Sequence, residues 1–166
     1  MRAARGALEP LFQEAAADFR MAWIFIDMMP ADNLASAAES AARIQDPRVA
    51  FFHDPDHDAG RALARRLGWK HHVAWDTYFV YNPGVLWKHA GLPRPDSWFH
   101  QLKDREMWEK TAEAELRTGE WTKALAEKSE ADPAMFRTGD DLRTALAAAL
   151  RHSAAQPLPH HMLTAT

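Results

Sequence analysis

The chain contains no cysteine. That single absence removes disulfides, iron–sulfur clusters, cysteine–zinc sites and thiol catalysis together. Long apolar runs are lacking too. None approaches the roughly 18 residues that cross a bilayer, so no membrane partner is expected. Charge of one sign is also missing: the formal net charge is −3, which gives no electrostatic reason to expect nucleic acid. No apolar signal core follows the arginines of Met1 to Gly6, and a cytoplasmic protein is expected. Gly-x-Ser-x-Gly, phosphate-loop and Gly-x-Gly-x-x-Gly patterns do not occur, and no cofactor is expected.

What is present is an ordinary globular composition, 47% hydrophobic and 26% charged, in a length of 166 residues that suits one domain. Tryptophan is frequent. Trp69, Trp75, Trp87, Trp98 and Trp108 crowd one stretch, either as a bulky core or as an aromatic groove for a partner.

Leu8, Leu11, Phe12, Ala15 and Phe19 form one apolar stripe, which predicts a helix from about Ala7 to Asp18. Met21 to Asp27 is almost continuously apolar, as in a strand covered on both faces. Asp32-Asn33 offers an N-cap for a helix carrying Leu34, Ala37, Ala38, Ala41 and Ile44, stopped at Asp46-Pro47. Val49 to His53 is a second strand. Asp58 is placed to cap a helix from Ala59 to Leu67, and Gly68 to end it. Trp75 to Tyr81 reads as a third strand. Only Asn82-Pro-Gly84 separates it from Val85 to His89, which predicts an antiparallel hairpin. Asp96 to Glu130 reads as helical: Trp108, Ala112 and Leu116 share one face up to a stop at Gly119, and Trp121, Ala124 and Leu125 begin another short helix that Asp132-Pro133 ends. Thr138-Gly-Asp-Asp141 suggests a capping box for a last helix with Leu142, Ala145, Leu146, Ala149 and Leu150 on one stripe. Helices alternating with strands call for a largely parallel sheet with an antiparallel edge.

Phe25-Ile-Asp27, Phe51-Phe-His-Asp54 with Gly60 and Leu67-Gly68, and Thr77-Tyr-Phe-Val-Tyr-Asn-Pro-Gly84 with Trp87 and Gly91 follow one another in an order that resembles the thioredoxin-like superfamily. The closest branch is that of bacterial thiol–disulfide reductases and peroxiredoxins, in which Arg48 to Leu67 would be an added strand and helix. The resemblance covers about residues 2–91 and 139–152. It implies an α/β three-layer sandwich with a mixed sheet. A single domain would span 1–152, with a helical insertion at about 92–138 and a flexible tail at 153–166. Two departures stand out. Arg2 and Ala7-Leu8 fit the continuation of the family's Cys-x-x-Cys, which would then lie ahead of Arg2 together with the first strand. The loop Val73-Ala-Trp-Asp-Thr77 has no proline where the family has a cis-proline that helps hold a substrate segment. A relative of thiol–disulfide oxidoreductases without thiol activity is expected. The alternative is a protein- or peptide-binding scaffold.

The candidate groove of that reading is Trp75, Asp76 and Thr77, and the candidate partner surface is Trp98 and Trp108. His53-Asp54-Pro-Asp56-His57-Asp58 is the densest run of metal-type ligands. Arg65 stands where a calcium loop needs its bidentate glutamate, which leaves His53 and His57 as weak transition-metal candidates beside a plain capped turn. His71-His72 reads as a surface pair, and His89 and His100 as tethers of the insertion. Asp27 and Asp76, both near strand ends, are conceivable acid/base partners, with buried caps as the alternative.

Overall fold

The computed structural model describes residues 8, 10–13, 15, 18–69, 72–87, 91–102 and 133–157. Residues 10–13 are helical, and the Ala15 N–H closes onto the Leu11 carbonyl at 2.8 Å. The apolar run Met21–Ile26 forms β1. Its β-branched and aromatic side chains suit a pleated surface buried from two sides. Asn33 then caps α1, Leu34–Ala41, in a reciprocal box with Ser36. The chain leaves the helix at Ala42, ahead of the stop expected at Asp46-Pro47. Val49–Asp54 forms β2, which pairs parallel to β1 in the register Met21 to Val49 through Ile26 to Asp54.

Helix α2, Asp58–Leu67, is capped differently from expectation. Asp58 is its first residue, and the cap comes from Asp54. The Asp54 carboxylate accepts from the Asp58 N–H at 2.8 Å and the Gly60 N–H at 3.1 Å. An anion at the N-terminus answers both the orphan donors and the helix dipole. Gly68 ends the helix with φ 88°, a left-handed geometry that glycine takes without strain.

The expected hairpin is replaced. Residues 85–87 form no strand, and β3, Thr77–Val80, pairs antiparallel with β4, Ser97–His100. The head of the region read as a helical insertion is therefore part of a sheet. Asn82 stitches this longer connection: its N–H and its Nδ2 donate to the Asp96 carboxylate at 2.8 and 2.9 Å. Trp108 and Trp121, with the rest of residues 103–132, lie outside the described residues. The described end of the supposed insertion is a 3₁₀ turn, Pro133–Met135.

Helix α3, Gly139–Ala154, starts at Thr138, whose side chain makes no capping bond, so the expected box does not form. The helix outruns the boundary set at residue 152. Ser153, assigned to a frayed tail, is buried, and its Oγ donates to the Tyr81 carbonyl at 3.0 Å.

Among the described residues the strands form two ladders, β1–β2 and β3–β4, rather than one continuous mixed sheet. Both ladders nevertheless share the same two apolar clusters. One gathers Leu8, Leu11, Leu142 and Leu146 with Met21 and Trp23 of β1 and Tyr78, Val80 and Phe99 of β3–β4. The other gathers Leu63, Ala64 and Trp69 with Ile24 of β1 and Phe79 and Trp98 of β3–β4. Alternate strand residues thus face opposite clusters, as the two-residue period of a strand requires. The N-terminal residues and α3 lie on one side of the ladders and α2 on the other. The protein is a mixed α/β chain. At the rim, Arg48 bonds Asp46 at 2.7 Å and the Ala15 carbonyl at 3.2 Å, and also reaches the Phe12 carbonyl, so the segment before β1 is tied to the start of β2. That guanidinium holds the Asp46 carboxyl down at about 2.

Candidate functional site

The C-terminal end of β1 and the entrance to β3 collect the polar groups of interest. The chain turns at Asp27 to Asp32, where the Asp32 carboxylate accepts from the Met29 N–H at 2.8 Å and the Met28 N–H at 3.1 Å. That turn holds the Asp32 charge close enough to Asp76 to act on it.

Asp76 sits in the last turn before β3 with φ 45°, in the left-handed region. Aspartate tolerates this conformation better than most residues, though at a cost. The Asp76 carbonyl accepts from the Gln101 N–H at 2.9 Å. The Tyr78 hydroxyl donates to Gln101 Oε1 at 2.9 Å, and Thr77 Oγ1 donates to the Trp75 carbonyl at 2.8 Å. These bonds brace the backbone around Asp76 and leave its carboxyl without a hydrogen-bond partner among the described residues. Burial pushes this carboxyl up from the ordinary aspartate value, and the like charge of Asp32 acts in the same direction. The Tyr78 hydroxyl is pushed up as well, by burial first and then by the Asp76 charge. Beside Asp76, the Trp75 Nε1–H is buried and also lacks an acceptor among the described residues.

The groove residues Trp75, Asp76 and Thr77 therefore lie together at one strand entrance. The other candidates do not join them. Asp27 and Asp76 do not pair; Asp27 is taken by the two histidines. His53 Nε2 lies 2.9 Å from Asp27 Oδ1, and His57 Nε2 lies 2.8 Å from the Asp27 carbonyl. Both nitrogens donate there, which leaves only the Nδ1 of each ring for a metal. No group of three metal-type side chains occurs among the described residues. His57 holds φ 61°, so its ring reaches back across the strand ends to Asp27. Trp98 faces inward, edge-on to Trp69 at 5.6 Å and stacked on His100 at 5.8 Å, and so forms core rather than a docking surface. His72 is buried rather than on the surface, and His100 is a core residue of β4. His71, His89 and Trp108 lie outside the described residues.

The chain matches no protein-family model, no curated protein and no solved structure.

The Asp76 carboxyl gives a signed expectation. A carboxyl whose folded value is raised favours folding while protonated. That contribution is complete below the unfolded value of about 3.9 and is lost as pH rises through the folded value. Asp76→Asn keeps the shape and the tolerance of positive φ but cannot ionise. The variant should melt higher than the parent at pH 7, with the gap closing as pH falls from the raised folded value toward about 3.9. Thermal melts at stepped pH read this directly; equal melting temperatures at pH 7 would show that the ionised Asp76 carries no penalty.

Proposed function

We propose that the chain is a thioredoxin-like domain without thiol chemistry, whose work is to hold an extended polypeptide at Trp75–Asp76–Thr77. One observation carries the binding half of this reading. A buried indole N–H and a desolvated carboxyl, adjacent in sequence, both lack partners among the described residues at the mouth of β3. Buried polar groups are nearly always hydrogen-bonded, so an unpaired buried indole N–H beside a partly buried, desolvated carboxyl supports a place where a ligand completes the bonding. A peptide group fits the pair. Its carbonyl accepts from the indole N–H, and its N–H or carbonyl meets the carboxyl according to that group's protonation.

The family half rests on order and packing. A parallel β1–β2 unit joined through α1, an antiparallel β3–β4 pair and a closing helix surround two clusters that both ladders share. This order supports the reading, with two ladders where the resemblance implies one mixed sheet. The loop that would carry the family's cis-proline is bent here at Asp76 instead, and the candidate groove falls in it. Thiol–disulfide exchange needs a thiolate to attack a disulfide sulfur, and this sequence has none. With dithiothreitol as electron source, insulin reduction should run at the rate of dithiothreitol alone.

The binding reading is tested with an array of fluorescent unstructured peptides and anisotropy. Some peptides should bind saturably with Kd about 10–100 μM. Trp75→Phe removes the N–H together with part of the ring, and Asp76→Gly removes the carboxyl at a positive φ that glycine takes without strain; each should weaken binding about tenfold, or about 1.4 kcal/mol. Absence of binding across the array, or equal binding by both variants and the parent, would remove the proposal.

A further inference from the structure

Among the described residues, β2 is hydrogen-bonded on one side only, to β1. The Met21 N–H donates to the Arg48 carbonyl at 2.9 Å, and Met21 stands opposite Val49. In a parallel ladder this alternation turns the N–H and C=O groups of Ala50 and Phe52 toward β1 and those of Val49, Phe51 and His53 outward. An outward row of donors and acceptors is a template for another strand. The remaining edges differ. The outer side of β4 meets Phe136 in a bridge, and the Arg137 N–H donates to the His100 carbonyl at 3.0 Å. β1 and β3 both pack into the two clusters that the ladders share. β2 also lacks the usual protection. Its six residues, Val-Ala-Phe-Phe-His-Asp, include no lysine, proline or glycine. Phe52 is 54% exposed, and Ala50 is exposed beside it.

We propose that β2 pairs antiparallel with β2 of a second copy of this chain, about a two-fold axis at Phe51. The sequence of the strand is self-complementary in that register. Phe51 meets Phe51, and Val49 of one copy meets His53 of the other. These are the outward-facing residues: the Phe51 pair exchanges two backbone hydrogen bonds, and each flanking pair adds one, from the His53 N–H to the Val49 carbonyl, because the Val49 N–H already donates to the Asp46 carbonyl at 3.0 Å. Between them Ala50 stands opposite Phe52 in a non-hydrogen-bonded pair, where side chains approach most closely. The exposed ring of one copy lies over the small side chain of the other, twice by symmetry. Arg48 falls opposite Asp54, which are of opposite charge. Arg48 already binds Asp46 and Asp54 already caps α2, so this pair favours the register more than it adds strength. Shifting the register by two residues would lose either the central Phe51 pair or one of the flanking pairs. A single ladder with these side chains buries less than about 1,200 Å² and sets Kd in the range of about 1–100 μM.

Sedimentation velocity of the full chain tests this. The mass should rise with concentration from 18.8 kDa toward twice that value. The double variant Ala50→Lys, Phe52→Lys faces ammonium groups against each other in both symmetric pairs and should stay monomeric over about 1–200 μM. The double variant Ala50→Glu, Phe52→Lys puts a carboxylate opposite an ammonium in both pairs and should dimerise again. Positions 50 and 52 are exposed, so circular dichroism should match the parent in both variants. A parent that stays monomeric throughout would overturn the proposal. So would dimerisation of the double-lysine variant, or failure of the mixed-charge variant to associate while folded.

Discussion

Leu142→Ala should destabilise the domain by about 3–5 kcal/mol, the largest single effect expected from an aliphatic truncation here. Leu142 is 0% exposed in the first turn of α3 and stands in the cluster that joins Leu8 and Leu11 to both ladders. Truncation removes about three methylene-sized groups from contact. It also leaves a void bounded by side chains from α3, both ladders and the N-terminal residues, which cannot all close in at once. The better helix propensity of alanine offsets only about 0.2 kcal/mol. A domain whose whole stability is of order 5–15 kcal/mol would lose about a fifth or more of it. Urea unfolding should show a lower midpoint at unchanged slope. Leu34→Ala is the matched control. Leu34 is the same residue type in a first helical turn but is 65% exposed, and its loss should stay within about 0.5 kcal/mol. If both leucines cost alike, the cluster around Leu142 would not be the stabilising centre described here.

The stripe that carries this expectation is legible in the sequence alone. Leu142, Leu146 and Ala149 recur at helical spacing, and all three are buried. β1 and β2 were legible as strands from their unbroken apolar runs, but the run of β2 is buried on one face only, with Ala50 and Phe52 exposed on the other. The pairing of β3 was not. Val85 to His89 follows a three-residue Asn-Pro-Gly link, the strongest local hairpin signal in the chain. Yet Ser97–His100 takes the place, because its Trp98 and Phe99 reach one cluster each. Local turn chemistry competes with long-range burial, and two large aromatic rings outweigh a short loop. One signal did point there: Pro93 and Pro95 keep the chain extended up to a Trp-Phe pair, a poor start for a helix. At the candidate site, Trp75, Asp76 and Thr77 were legible as a loop before a strand. The positive φ of Asp76 and the raised value of its carboxyl were not, since the backbone there is held by Gln101, and the carboxyl is pushed up by burial and then by the Asp32 charge, all set by parts of the chain distant in sequence. The capture of Asp27 by His53 and His57 depends in the same way on the β1–β2 register.

Gly60→Ala should also destabilise, against the usual preference for alanine in helices. A Cβ at this position of α2 would lie 2.4 Å from Val73 Cγ1 and 2.9 Å from Ile26 Cδ1. Ile26 Cδ1 ends a flexible side chain and can swing away. Val73 is β-branched, only 1% exposed, and fixed at its neighbour, where the Ala74 N–H donates to the Gly60 carbonyl at 3.0 Å. The remaining route is to move α2 off the loop, which would strain the bond from the Gly60 N–H to Asp54. Overpacking of this kind costs about 1–3 kcal/mol, against which the helix preference for alanine returns at most about 1 kcal/mol. Val73→Ala alone should cost about 2–3 kcal/mol through the space it leaves. In the double variant the added methyl enters the space that the valine vacates. The two losses should then fall short of their sum by at least about 1 kcal/mol in a double-mutant cycle. Strict additivity would mean that α2 and the loop before β3 do not touch at Gly60, and the close approach that brings the Asp54 cap beside the Trp75–Thr77 loop would have to be abandoned.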